Sequence, residues 1–339
     1  LTTNGPVVNE SGAVVFEAQS GLLLSGTDDQ LLRTSTPLTI PTLSITGGST
    51  KAIEGFVLVS ENLDLANGKI FVGGSLDANS LIIQNGAVIN ENPESWVIGS
   101  LVQQGQGSKL YPLGANGSYA PVLLNISGSD DTFTGAVALS DGNFVPSELP
   151  NNVTSASTNW AWVVFGSDLS GVGVTLPIQA EDESLISGDD LVYAVLEADT
   201  IENVSANLGG TQGTFANGLA SVSAQEESLN PNTSEEFARV YLLGAERTTV
   251  PVIHNIITPN NDNSNDFLFI EAISVYGDDN EVILLDRWGT EVYRQKNFRN
   301  FNDTDNPYDG SFDFLAPGNY ICIVEYAGQT AKQVITVLN

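Results

Sequence analysis

Methionine is absent from these 339 residues, and cysteine and histidine occur once each. With Cys322 alone, no intramolecular disulfide can form, so stability has to come from core burial. The 41% of apolar residues can build that core and argues against disorder. A single His254 leaves almost no room for Ser-His-Asp, Cys-His or His-based zinc chemistry. Positive charge is scarce too. Eleven Lys and Arg face 41 Asp and Glu, for a net charge of −30. That balance excludes nucleic acid and anionic membrane surfaces as natural partners. It suits a soluble, extracellular protein. No apolar run approaches the ~18 residues of a membrane span. With no signal peptide and no Met, the chain is expected to be a mature or truncated product.

Helical periodicity is also missing. Apolar residues come in short runs or alternate with polar ones, and 33 Gly and 14 Pro punctuate them. This predicts an all-β protein of many short strands. Residues 1–95 carry recurring apolar triplets: Leu22-Leu23-Leu24, Ile70-Phe71-Val72 and Leu81-Ile82-Ile83. Asn62-Leu63-Asp64 with Lys69-Ile70-Phe71 loosely repeats as Ser75-Leu76-Asp77 with Leu81-Ile82-Ile83. Such a texture predicts either β-solenoid rungs or an ordinary sandwich with incidental similarity.

Residues 96–247 begin with Trp96 to Val102 and then Tyr111-Pro112-Leu113-Gly114 through Tyr119-Ala120-Pro121, where Pro and Gly fix a bend and two tyrosines can anchor it. Longer alternating runs follow at Thr132–Leu139, Trp160–Phe165, Leu191–Leu196 and Phe237–Leu243. They predict an antiparallel β-sandwich. Glu246 to Thr249 reads as the hinge into a last domain, residues 250–339, where strands and turns fit an immunoglobulin-like sandwich.

That last domain holds three landmarks. The first is Thr258-Pro259-Asn260-Asn261-Asp262-Asn263-Ser264-Asn265-Asp266, whose Asn and Asp side chains favour a stiff, self-bonded loop. Asp262, Ser264 and Asp266 also offer oxygens at alternate positions, as calcium loops do, although the EF-hand Gly and Glu are missing. The second is Asp286-Arg287-Trp288-Gly289, read as a hairpin in which Gly289 bends the chain and Trp288 buries a large apolar area. The third is Pro317-Gly318-Asn319-Tyr320, with Tyr308-Asp309-Gly310 ahead of it.

In order and spacing these landmarks resemble the gliding-motility-associated C-terminal domain, the type B sorting domain of the type IX secretion system of Bacteroidota. Asn261 and Asn263 stand where that family has glycines, Tyr308 where it has Trp, and the closing strand lacks the family's basic residue. The segment from Tyr111 to Pro121 also resembles one found in surface proteins of the same bacteria. The resemblance implies a secreted protein attached to the cell surface, an adhesin or structural protein. It implies two partners: the type IX translocon and an outer-membrane barrel of the PorP/SprF kind. The recognition residues it implies are Asn260, Asp262, Asn265, Asp266, Arg287, Trp288, Gly289, Pro317 and Gly318. No cofactor is expected beyond the possible calcium ion at Asp262, Ser264 and Asp266.

Enzymatic chemistry finds little footing. His254 lies in the apolar run Val252–Ile257 and reads as a satisfied structural histidine, and Cys322 as a buried thiol. Asp28-Asp29, Asp130-Asp131, Asp189-Asp190, Glu235-Glu236 and Asp278-Asp279 read as solvated turn residues. A secreted polysaccharide-binding or polysaccharide-degrading protein is the alternative. For it, Trp160 and Trp162 would be the sugar platform, and Arg33, Lys51 or Lys69 the base of a solenoid lyase.

Overall fold

Inward apolar side chains repeat from strand to strand in the computed structural model, which places one rung of chain on the next. It describes every residue except 1, 4, 10–19, 74–79, 141–145, 147, 151, 167–168, 170–171, 187–190, 201–202, 225–237, 261, 263, 278, 301–311, 313 and 339. Ser75-Leu76-Asp77, Asp189-Asp190, Glu235-Glu236 and Asp278 therefore lie outside the described residues. The chain forms two compact units, Leu1–Leu149 with Ser155–Glu246, and Pro150–Thr154 with Arg247–Asn339.

The first unit opens as a β-solenoid of about four turns. Its strands stack in three parallel ladders. One joins Gly21–Leu24 to residues 42–45, 62–65 and 87–89. The second joins Gln30–Thr34, Thr50–Glu54, Lys69–Val72 and Val97–Gly99. The third joins residues 38–40 and 57–59 to Ser80–Ile83 and Leu101–Gln104. The long strands Leu38–Ile45 and Phe56–Leu65 each serve two ladders, with a register shift between Ile40 and Thr42. Alternation points every second residue inward, so registered positions become apolar stacks. Leu22, Leu43 and Leu63 form one and Leu38, Val57, Leu81 and Leu101 another, all buried. Each such side chain contributes about 1.5–3 kcal/mol on burial, so neighbouring rungs stabilise one another.

The true register differs from the sequence similarity noted above. Lys69-Ile70-Phe71 belongs to the second ladder and Leu81-Ile82-Ile83 to the third. Of the matched segments, Lys69–Phe71 and Leu81–Ile83 are successive sides of the coil, which look alike because each needs the same in-out alternation.

Polar residues fix the corner between the first two ladders. Lys51 is fully buried, in register with Gln30 and Ile70. Its Nζ donates to the carbonyls of Gly26 at 2.6 Å and Asp28 at 3.2 Å, and to Ser49 Oγ. Burial pulls its pKa down, opposed by Asp29 and Asp28. Gln30 accepts from the Gly26 N–H and donates to the Thr3 and Gly5 carbonyls. Arg33 pairs with Glu54 at 2.6 Å, and Lys69 Nζ lies 3.9 Å from the Trp96 ring centroid. All three basic residues of this region thus have structural partners.

No break occurs near residue 95. Leu101–Gln104 pairs parallel with Ser80–Ile83 on one side and antiparallel with Phe133–Ser140 on the other. The sheet then runs on through Trp160–Gly166, Ala238–Arg247, Leu191–Thr200 and Asn203–Asn207. A second antiparallel sheet, Gly107–Tyr111, Val122–Ile126, Gly173–Pro177, Ala220–Ala224 and Thr211–Thr214, supplies the other layer. A single apolar cluster extends from Leu22 to Leu243. Trp160 and Trp162 sit inside it with ring centroids 6.2 Å apart, and Trp162 Nε1 donates to the Ala120 carbonyl. They are core, so the sugar platform considered for them is excluded. The segment from Tyr111 to Pro121 closes the second ladder: the Val97 N–H bonds the Pro112 carbonyl, and Tyr111 Oη bonds the Thr134 carbonyl.

Asp182 is buried with Oδ1 accepting from Ser157 Oγ at 2.6 Å and Oδ2 without a partner. Burial pushes its pKa up. The native state therefore holds the proton more tightly. Stability from this group is full below the unfolded carboxyl value of ~3.9 and is lost as pH rises through the folded value. Asp182→Asn is expected to stabilise the unit at neutral pH, with the gain vanishing as pH falls below the unfolded carboxyl value of ~3.9. Urea unfolding across a pH series checks it.

The second unit is built on a five-stranded sheet ordered Ile256–Ile257, Gln329–Val337, Gly318–Tyr326, Asn280–Leu285, Glu291–Lys296. The first pair is parallel and the rest antiparallel. One face packs under the Val252–Ile253 and Ile270–Glu271 ribbon, the short 3-10 turn Ile273–Tyr276, and Phe298, Phe312 and Leu315. Asn300 holds the ribbon by a double hydrogen bond to the Ile270 N–H and carbonyl. Cys322 is buried in this core, and burial pushes its thiol up to about 12. His254 is solvent-accessible instead, 2.8 Å from Glu271 Oε1 and edge-on to Phe269.

Candidate functional site

The registers of the second unit's sheet bring the three landmarks to one end of it. Gly318 pairs with Val337, Val337 with Ile257, and Leu285 with Ile321. The loop after Ile257, the turn after Leu285 and the turn before Gly318 therefore all lie at one end of the sheet.

The first loop closes on itself. Thr258 N–H bonds the Asn265 carbonyl at 2.7 Å, and Thr258 Oγ1 donates to the Ser264 carbonyl. Asp262 Oδ1 accepts from the Ser264 N–H at 2.8 Å and Oδ2 from Asn260 Nδ2 at 3.1 Å. Buried Asp266 accepts the Asn260 N–H at 3.1 Å. These bonds make the side chains part of the turn. The carboxylates considered as calcium ligands thus serve N–H groups of their own loop. Among the described residues, no group of three or more His, Cys, Asp or Glu converges as a metal cluster. Asn261, Asn263 and Tyr308-Asp309-Gly310 lie outside the described residues.

The second landmark is a tight hairpin. Asp286 Oδ1 accepts the N–H groups of Trp288 at 2.8 Å and Thr290 at 2.9 Å, and the Gly289 N–H returns to the Asp286 carbonyl. Gly289 has φ +82°, which L side chains rarely adopt. The N–H bond from Thr290 comes first in holding the Asp286 carboxyl below its usual range. The hairpin does not bury its tryptophan. Trp288 is 81% exposed, the largest exposure among the big apolar side chains described. It sits at the tip of the turn, beyond the last cross-strand pair, where neither face of the sheet reaches it. Arg287 lies with its guanidinium carbon 5.6 Å from the ring centroid.

In the third landmark, Tyr320 Oη donates to the Ala316 carbonyl, which holds the turn through Pro317 and Gly318. Phe314, close by in sequence, is also exposed, with its ring 5.9 Å from that of Phe312. The sheet face turned away from the core carries Ile256, Ile321, Val334 and Leu338, all exposed. The sequence reading missed this strip. Its signal was present: apolar residues occupy both parities of Tyr320–Val324 and of Val334–Leu338, so one set has to face outward. An exposed Trp, an exposed Phe and an apolar strip at one end of a small unit form the surface pattern of a docking site.

Comparison with curated proteins and with solved structures finds no match to this chain. One family model does match, and it covers the unit that carries the three landmarks. A domain of that family indicates export out of the cell through the type IX secretion system. Residues 251–337 match the CHU_C Type IX secretion signal domain, and the chain carries that domain at the end of its solenoid and sandwich.

Proposed function

We propose that this chain is a cell-surface adhesin or structural protein of a gliding, Bacteroidota-type bacterium, with the first unit as passenger and the second as its export address. The end of the second unit's sheet that bears Trp288 meets the translocon and an outer-membrane barrel of the PorP/SprF kind, and the protein stays attached outside the cell. The observation that carries this reading is the exposure of Trp288 at the tip of a self-bonded turn, at the same end of the sheet as the self-bonded loop after Ile257. A rigid loop presents its contact residues without an ordering cost. Recognition in this reading is by shape and involves no chemistry.

The polysaccharide reading is weaker. Its tryptophan pair is core, and the basic residues of the solenoid have structural partners. We therefore take the protein to be non-enzymatic.

The test is export of a fluorescent protein fused to residues 250–339, a unit with its own apolar core. In a host with an intact secretion system most of the fusion is expected outside the cell. In strains lacking the system or the partner barrel it is expected to stay inside. Retention in the intact host, with the fusion folded, would sink the proposal.

A further inference from the structure

The sheet that joins the solenoid to the sandwich has two faces, and only one of them lines the core. Val57, Leu81, Leu101, Ala136 and Val164 are in register and lie in the apolar cluster. Alternation turns their neighbours the other way, so Leu58, Ile82, Val102, Gly135 and Phe165 form a registered row on the opposite face. Gly135 makes room in this row for the Phe165 ring, which comes within 2.3 Å of where a Cβ would stand. Phe56, Val137 and Val163 widen the apolar surface on one side of the row, and Phe133 on the other. Phe56 is 36% exposed, and the other apolar side chains beyond Gly135 are half-buried.

Charge singles this face out. Residues 56–60, Ser80–Ile83, Leu101–Gln104, Phe133–Ser140 and Trp160–Gly166 contain no Asp, Glu, Lys or Arg, in a chain where 15% of residues are charged. The other two solenoid ladders do carry charge outward, Asp64 on the first and Arg33, Glu54 and Lys69 on the second. The polar side chains within the uncharged face are hydroxyls and an amide, such as Ser60 and Gln104. Each of these carries both a donor and an acceptor.

We propose that this face pairs with the same face of a second copy of the chain, sheet on sheet, about a two-fold axis. Two chains of net charge −30 repel each other, and an uncharged face is where they can touch without setting carboxylates together. A two-fold contact also brings a surface against itself. A charge in it meets its own sign, whereas hydroxyls and amides complement themselves and apolar rows interdigitate. A cationic partner would instead be drawn to the acidic surfaces. Five strands ~4.8 Å apart and about five residues long give a contact of roughly 20 by 16 Å. That is below the ~800 Å² per partner of a standard interface, so the dimer is weak, with Kd about 10–300 μM. The contact lies wholly in the first unit and is independent of the export reading.

The test is sedimentation velocity of the full chain from about 1 to 500 μM, at about 20 and 300 mM salt. A monomer–dimer equilibrium is expected, tighter at the higher salt because screening weakens the repulsion between the copies. Ile82→Lys is expected to hold the chain monomeric throughout, since each copy then presents an ammonium to the other. Val102→Thr keeps the shape of the side chain and removes one methyl from each copy, so it is expected to weaken dimerisation about tenfold and serves if Ile82→Lys fails to fold. Val334→Lys, on the exposed strip of the second unit, is expected to change nothing. The proposal is overturned if the chain is monomeric at every concentration, if folded Ile82→Lys or Val102→Thr dimerises as the parent does, or if Val334→Lys disperses the dimer. A monomer that binds an insoluble neutral polysaccharide, and loses that binding in Ile82→Lys, also overturns it, because the face would then belong to a glycan.

Discussion

Trp288→Ala is expected to abolish most export of the chain while leaving its folding intact. The two halves of this prediction rest on different physics. Trp288 is 81% exposed and makes no core contact, so truncation removes almost no buried area. Surface substitutions of this kind change stability by about 0.5 kcal/mol or less. The turn itself survives, because the bonds to Asp286 Oδ1 come from backbone N–H groups. Recognition is another matter. A tryptophan at the centre of a docking surface typically contributes 2 kcal/mol or more, about a thirtyfold change in affinity. The measurement is the extracellular fraction of the full chain beside the Tm of the purified variant. Unchanged export would place the recognition surface elsewhere on the unit. Lost export with a lowered Tm would point to folding instead.

Gly55→Ala is expected to lower the Tm of the first unit by about 6–12 °C. Gly55 turns the chain between Thr50–Glu54 and Phe56–Leu65 at φ +101°. An alanine Cβ there would stand 2.1 Å from the Thr34 carbonyl oxygen and 2.9 Å from Thr34 Cγ2. The strained backbone costs about 1–2 kcal/mol, and the overlap forces a registered neighbouring rung to move. A total near 3 kcal/mol in a unit of this size shifts Tm by about 2–4 °C per kcal/mol. Scanning calorimetry checks it, with the second unit's transition as an internal control that stays in place. A shift under about 2 °C would mean that the corner relaxes freely.

How far the sequence revealed this follows from the range of the interactions. The landmark loops were legible because their chemistry is local: Asp262 and Asp286 bond N–H groups two residues ahead. The strands of the sandwich were legible from alternation. The solenoid register was not, because Leu22, Leu43 and Leu63 are equivalent only through long-range stacking and recur at unequal intervals with unlike neighbours. Lys51 was one of only three basic residues that a solenoid lyase could have used, and the structure buries it under backbone carbonyls that composition cannot locate. Trp288 read as an anchor because tryptophan usually is one. Its exposure follows from its place beyond the last paired residues, which only the hairpin register reveals.

Leu101–Gln104 has a mechanical consequence. It is hydrogen-bonded along both edges, to the last solenoid rung on one side and to the sandwich on the other. A terminal rung with a free edge would peel away under tension one bond at a time. Here a pull along this strand loads both ladders at once in shear, and neither edge offers a place to start. For a passenger exported from the cell, that strand acts as a rivet.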